Sequence, residues 1–182
     1  GNDNDDVIVG GADGYTIFGN AGDDIAFGDN AEIVFGSVQR ITTTANTIGG
    51  ADVMRGNSGQ DVLAGGAFAD RIDGNPDEDL IFGDNVSLDR AVGAVTNPRY
   101  RQLGGSEIYD SGVGTGSPDQ VLITGVEQHV PGGPAVWEDF DITILDHSDA
   151  VEAAGLNNLG NDYIAGGPDD DQIFGQLGDD II

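Results

Sequence analysis

Apolar residues recur every nine positions over much of this chain, all but one of them two residues after an aspartate. The clearest stretch runs from Gly56 to Phe82. Its units open at Gly56, Gly65 and Gly74, carry Asp61, Asp70 and Asp79 at position six, and place Leu63, Ile72 and Ile81 at position eight. A unit from Thr47 to Arg55 precedes them with Asp52 and Met54 in the same phase. Asp6, Tyr15 and Asp24 with Ile8, Ile17 and Ala26 form an earlier set, and Asp162, Asp171 and Asp180 with Ile164, Ile173 and Ile182 a later one. So short a period means one structural rung per unit, repeated along an axis. Positions one to six are rich in Gly, Asn and Asp, which accept the positive φ of tight turns. Positions seven to nine are aliphatic or β-branched and predict a very short strand. Two units then make a coil of turn, strand, turn, strand. Coils stack into two parallel sheets with the position-eight side chains between them. The expected fold is all-β, a parallel β-roll.

The phase breaks twice, which divides the chain into three repeat blocks, 1–33, 47–88 and 157–182, separated by inserts 34–46 and 89–156. In the short insert, Ile41 to Thr44 suits a strand. In the long one, Gln120–Val126 and Phe140–Leu145 read as strands, 104–118 and 131–134 as loops, and Val151–Ala154 as one helical turn stopped by Gly155. This insert is expected to be a small β subdomain standing off the repeat axis, with a modest core packed against the rungs. The first two blocks end in near copies, Phe27 to Ile33 and Phe82 to Leu88, offset by 55 residues. Asp29 and Asp84 in these exits read as caps on the end of a roll.

Charge adds a constraint. The chain has 33 acidic residues against six arginines and no lysine, a net charge of −27. Such a charge opposes compaction unless counter-ions bind. It argues against nucleic acid and against anionic membrane surfaces. There is no cysteine, so neither disulfides nor cysteine-ligated zinc hold the fold. No apolar run approaches the roughly 20 residues of a membrane-spanning helix. If turns on one side are every second unit, Asp6 lies above Asp24, Asp52 above Asp70, Asp61 above Asp79 and Asp162 above Asp180. Stacked carboxylates repel, and buried unpaired charge is costly. Calcium answers both problems, because it takes six to eight oxygens in flexible geometry, backbone carbonyls among them. Magnesium, with stricter geometry and retained waters, fits less well.

The units resemble the glycine-rich, aspartate-bearing nonapeptides of the RTX (repeats-in-toxin) proteins. The resemblance covers the ten units of the three blocks, about half the chain. It implies a right-handed β-roll with two units per coil, calcium between adjacent turns, and type I export through a low-calcium cytosol. Asp6, Asp24, Asp52, Asp61, Asp70, Asp79, Asp162, Asp171 and Asp180 match the ligand position. Gly10, Gly19, Gly65, Gly66, Gly166 and Gly175 match turn glycines. About six ions are expected. Tyr15 removes one ligand from the first block. Phe68, Asp77 and Asp169 replace the fourth-position glycine, which weakens the expected binding of those turns.

Other candidates are weaker. His129 and His147 have no nucleophile beside them in a recognisable motif, and surface or packing roles are expected. Asp139, Asp141, Asp146 and Asp149 are candidates for a further calcium site. Trp137 is a candidate sugar-stacking platform, set against a packing role. Gly65 and Gly66 do not form a phosphate loop, because no lysine follows. No catalytic residues and no enzymatic activity are expected. The sequence leads to a calcium-stabilised structural segment of a large extracellular or cell-surface protein: an adhesin stalk, surface-layer element or fibre subunit. The alternatives are the repeat appendage of a secreted hydrolase, or a glycan- or surface-binding module acting through 89–156. Both chain ends fall within a repeat without a polar cap, so the expected partners are neighbouring repeat segments or copies of itself end to end.

Overall fold

The computed structural model describes residues 1–34, 40–90, 102–103, 106–107, 136–145 and 158–182. Five short strands form one fully parallel sheet: β1 (Val7–Val9), β3 (Ile25–Phe27), β7 (Val62–Ala64), β9 (Leu80–Phe82) and β15 (Gln172–Phe174), adjacent in that order. Four form a second: β2 (Thr16–Ala21), β6 (Val53–Ser58), β8 (Arg71–Asp73) and β14 (Tyr163–Ala165), also parallel, with Ile181 bridging beyond Tyr163. Alternate units therefore feed alternate sheets, as an 18-residue coil requires. Register keeps the phase: Ile8 lies opposite Ala26, Ala26 opposite Leu63, Leu63 opposite Ile81, and Ile81 opposite Ile173.

The position-eight residues are the filling between the sheets. Ile17, Ala26, Met54, Leu63, Ile72, Ile81 and Ile164 form one buried cluster, flanked by Ile8 and Ile173. Strand alternation sends positions seven and nine outward. Pairing runs across the inserts, β3 to β7 and β2 to β6 over the first, β9 to β15 and β8 to β14 over the second. The three blocks share both sheets.

A third, mixed sheet holds the two inserts together. Its order is β12 (Ser106–Glu107), β11 (Gln102–Leu103), β13 (Phe140–Ile144), β10 (Val86–Arg90), β5 (Arg40–Thr43) and β4 (Ala31–Val34). β4 and β10 begin inside the first two blocks as read from sequence, and β12 lies within the stretch read as a loop. The β5 and β13 strands fall where the β-branched runs predicted them. This sheet covers the outer face of the first parallel sheet. Ile41, Val86, Leu88, Phe140, Ile142 and Ile144 pack with Phe27, Val62, Ala64, Leu80 and Phe82 in one buried cluster. That is why positions seven and nine are apolar in those units. Trp137 belongs to this cluster at 1% exposure, so it packs and offers no sugar platform. Among the described residues nothing packs on the outer face of the second parallel sheet, where Arg55 lies over Phe18 and Arg71 over Tyr163 at 5.9 and 5.8 Å. Among the described residues no helix is long and apolar enough to cross a membrane. The residues Gln120–Val126, 131–134, Val151–Ala154, His129, His147, Asp146 and Asp149 lie outside the described ones, as do the side chains of Asp139 and Asp141.

Turn geometry explains the substitutions at positions two and four. Asn20, Asn57, Asn75 and Gln176 occupy position two with φ of 75–85°, and Phe68, Asp77 and Asp169 occupy position four with φ of 78–89°. Asparagine and aspartate tolerate this region, but a bulky side chain pays about 1–2 kcal/mol for it. Phe68→Gly should therefore raise the urea midpoint of the calcium-loaded chain, by about 1 kcal/mol of stability after some loss of contact. A lower midpoint would mean that the Phe68 ring, 38% exposed, packs better than its surroundings indicate.

Candidate metal sites

Each position-six aspartate follows the turn and precedes the strand, so its carboxylate lies beside the turn of the neighbouring coil. The structure gathers all nine candidate aspartates into two ladders. In the first, the backbone N–H of Asp6 donates to Asp24 Oδ1, Asp24 to Asp61, Asp61 to Asp79 and Asp79 to Asp171, at 2.7–3.0 Å. In the second, Tyr15 donates to Asp52, Asp52 to Asp70, Asp70 to Asp162 and Asp162 to Asp180, at 2.6–2.9 Å. The four stacks expected from spacing are present. The contacts of Asp24 with Asp61, Asp70 with Asp162, and Asp79 with Asp171 join blocks that sequence left apart.

These rungs use only one oxygen of each carboxylate. Oδ2 of Asp24, Asp52, Asp61, Asp70, Asp79 and Asp162 is buried without a hydrogen-bond partner. Each points at a glycine. A Cβ on Gly56 would stand 2.1 Å from Asp61 Oδ2 and 2.7 Å from the carbonyl oxygen of Gly74 in the next coil. The same cradle recurs at Gly19 with Asp24 and the Gly56 carbonyl, at Gly65 with Asp70 and Gly83, and at Gly74 with Asp79 and Gly166. Glycine is required here for the space it leaves, where a carboxylate oxygen and a carbonyl oxygen converge.

The inserts enter inside turns. Gly28 cradles Asp52 Oδ2 with the Gly65 carbonyl, and Gly83 cradles Asp162 Oδ2 with the Gly175 carbonyl. The units read from Thr47 and from residue 157 thus take their first position from Gly28 and Gly83, before each insert. Sequence reasoning passed over these two glycines, although each stands nine residues after the previous unit's first glycine. Asp29 and Asp84 follow them, and the structure corrects their role. They do not cap an end; both are buried within the stack. Asp29 accepts N–H groups from Gly50 and Ala67, and Asp84 Oδ2 accepts the N–H of Leu177. They fasten a split turn to the coil beyond it. At Gly10 the cradle holds the Gly28 carbonyl, with the Tyr15 ring where a carboxylate would be. Tyr15 keeps the backbone rung and loses the ligand, as its side chain requires.

Burial dominates the protonation of the ladders. It pushes Asp70 and Asp79 up to about 9, Asp61 and Asp162 up to about 7, and Asp29 and Asp52 up to about 6. Asp24 and Asp171 are raised for the same reason. Backbone N–H donors pull these values down, and neighbouring ladder carboxylates push Asp70, Asp79, Asp61 and Asp162 further up. A proton or a cation must neutralise these oxygens. Among the described residues no three acidic or histidine side chains converge on a point. The donor set is instead one carboxylate with turn carbonyls, all hard oxygens, which fits calcium and no softer metal. Asp24, Asp52, Asp61, Asp70, Asp79 and Asp162 would hold the ion with the cradle carbonyls. Asp6, Asp171 and Asp180 occupy the same ladder position at half-buried places.

Two outcomes follow from this geometry. Asp70→Ala and Asp79→Ala should each raise the calcium midpoint for folding at least tenfold, whereas Asp73→Ala, at position nine, should change it little. Gly56→Ala should resemble the first two, because its methyl group fills the cradle; equal midpoints for all four variants would contradict the site. The second outcome concerns pH. The folded, metal-free chain binds protons that the unfolded chain, with ordinary values near 3.8, releases. Its stability is therefore greatest below about pH 4 and is lost as pH rises through about 6 to 9. In chelator, circular dichroism should show β structure gained on acidification from pH 8 to pH 5, and the calcium midpoint for folding should fall over the same interval, because protons neutralise the same oxygens.

Comparison with known proteins agrees with the ladders. The family model of the RTX calcium-binding nonapeptide repeat matches in four copies, over residues 1–31, 49–63, 55–85 and 158–182. No curated protein and no solved structure matches the chain. The matches cover just over half of the sequence and fall on the turns and strands of both ladders. The chain belongs to the family of RTX calcium-binding nonapeptide-repeat proteins.

Proposed function

We propose that the chain is a calcium-stabilised structural segment of a large secreted or cell-surface protein, folded as one right-handed roll through all three blocks. The observation that carries this reading is the set of six buried aspartate oxygens without partners, each opposite a glycine cradle. Without metal, those oxygens and a net charge of −27 oppose the compact state. With about six calcium ions bound, the roll becomes a stiff axis. Extracellular sites of this class bind at about 10⁻⁴–10⁻³ M, so folding would begin outside the cell. Adhesin stalk, surface-layer element and fibre subunit all use such an axis, with neighbouring repeat segments or further copies as axial partners. The chain performs no catalysis of its own.

The test is circular dichroism in chelator at pH 8, followed by millimolar calcium. A cooperative gain of β structure with calcium, absent with equal magnesium, is the expected result. A β signal already complete in chelator would overturn the reading.

A further inference from the structure

The second insert touches the roll at a place that matters to the metal. Its 3₁₀ turn, Val136–Asp139, lies on the turns of the first ladder. The Val136 N–H donates to Gln60 Oε1 at 2.8 Å, and Trp137 Nε1 donates to the Glu78 carbonyl at 2.9 Å. Gln60 Nε2 in turn donates to Glu78 Oε2, and the Gln60 N–H donates to Asp23 Oδ1. Gln60 and Glu78 hold position five of successive coils, each directly before a ladder aspartate, and the Asp61 N–H donates to Asp79 Oδ1. The two acceptors of the insert are thus set at their spacing by the turns that Asp61 and Asp79 close.

We propose that this contact is a calcium-coupled latch: metal in the Asp61–Asp79 turns seats the insert through Gln60, Glu78 and Trp137, and the seated insert tightens metal binding there. The inference rests on the calcium reading above. Without the ion, the buried oxygens of Asp61 and Asp79 push the two coils apart, and Gln60 and Glu78 no longer present a joint seat. Trp137 then leaves the cluster it shares with Leu80 and Phe82, and the apolar face of the mixed sheet loses its cover. Coupling between two binding events is reciprocal. Removing the latch must therefore weaken calcium by the factor with which calcium strengthens the latch. One or two lost hydrogen bonds correspond to about threefold to tenfold in the midpoint. The consequence for the molecule is that the segment around Trp137 takes its place only where calcium is abundant.

Trp137 is the single tryptophan of the chain, so its emission reports the latch directly. The experiment titrates calcium into the full chain and records Trp137 emission, far-UV dichroism and calorimetric binding. Gln60→Ala touches no metal ligand. It should reach the wild-type β signal at saturating calcium, with a red-shifted Trp137 emission and a midpoint about threefold to tenfold higher for part of the calorimetric isotherm. Trp137→Phe keeps most of the packing and lacks the N–H donor; read by calorimetry, it should show the same shift even if Gln60→Ala folds poorly. If wild-type dichroism responds to calcium but both variants give the wild-type isotherm, the latch is wrong and the calcium reading stands. If wild-type dichroism ignores calcium, both fall together.

Discussion

One repeated contact organises the molecule: a position-six carboxylate takes a backbone N–H from the neighbouring coil with Oδ1 and turns Oδ2 into a glycine cradle. The first oxygen sets the spacing of the coils. The second is left in a dry, oxygen-lined space where only a proton or a hard cation can neutralise it. Each rung repeats this along two parallel lines, so the electrostatic demand grows with every coil added. The position-eight core between the sheets supplies hydrophobic cohesion, but it lies only one side chain per unit deep. Neither that core nor the cluster under the mixed sheet neutralises two columns of buried carboxylates. The fold and its counter-ion are therefore one problem, and calcium belongs to the structure as much as the leucines and isoleucines do.

The same contact explains how the roll tolerates its inserts. The rung from Asp70 to Asp162 and that from Asp79 to Asp171 each close 92 residues of chain. Loop-closure entropy rises only with the logarithm of loop length, so the long excursion costs little more than the short one. What matters is that both ends return in phase. Gly28 with Asp52 and Gly83 with Asp162 achieve this by sharing one turn across the gap. Asp29 and Asp84 tie the first half of each turn to the next coil. The excursions then meet each other, because both leave from the same ladder side, and their strands form the sheet that covers Phe27, Leu80 and Phe82.

Much of this was legible in the sequence. Nine-residue phase identified the ladder aspartates and the interior side chains, because both depend on local spacing alone. Tyr15 was legible as a missing ligand for the same reason. Stacking of the three blocks was not, since a parallel sheet pairs strands that composition cannot order. The split turns were half visible: Gly28 and Gly83 keep the phase, but the acid that completes each cradle lies beyond an insert of arbitrary length. Asp29 and Asp84 looked like terminal caps because spacing alone leaves open whether the blocks form one roll or three. Trp137 was a candidate platform on residue type alone, while the hydrophobic seat that buries it comes from residues 27 to 88 and 140 to 144.

The most direct measurement of the central claim is a crystal structure of the calcium-loaded chain with anomalous scattering from the metal. The account predicts ions in the cradles of Gly19, Gly28, Gly56, Gly65, Gly74 and Gly83, each contacting the Oδ2 that faces it, and none at Gly10, where Tyr15 stands. Cradles without anomalous density, their Oδ2 atoms instead protonated or bound to water in the same fold, would contradict it.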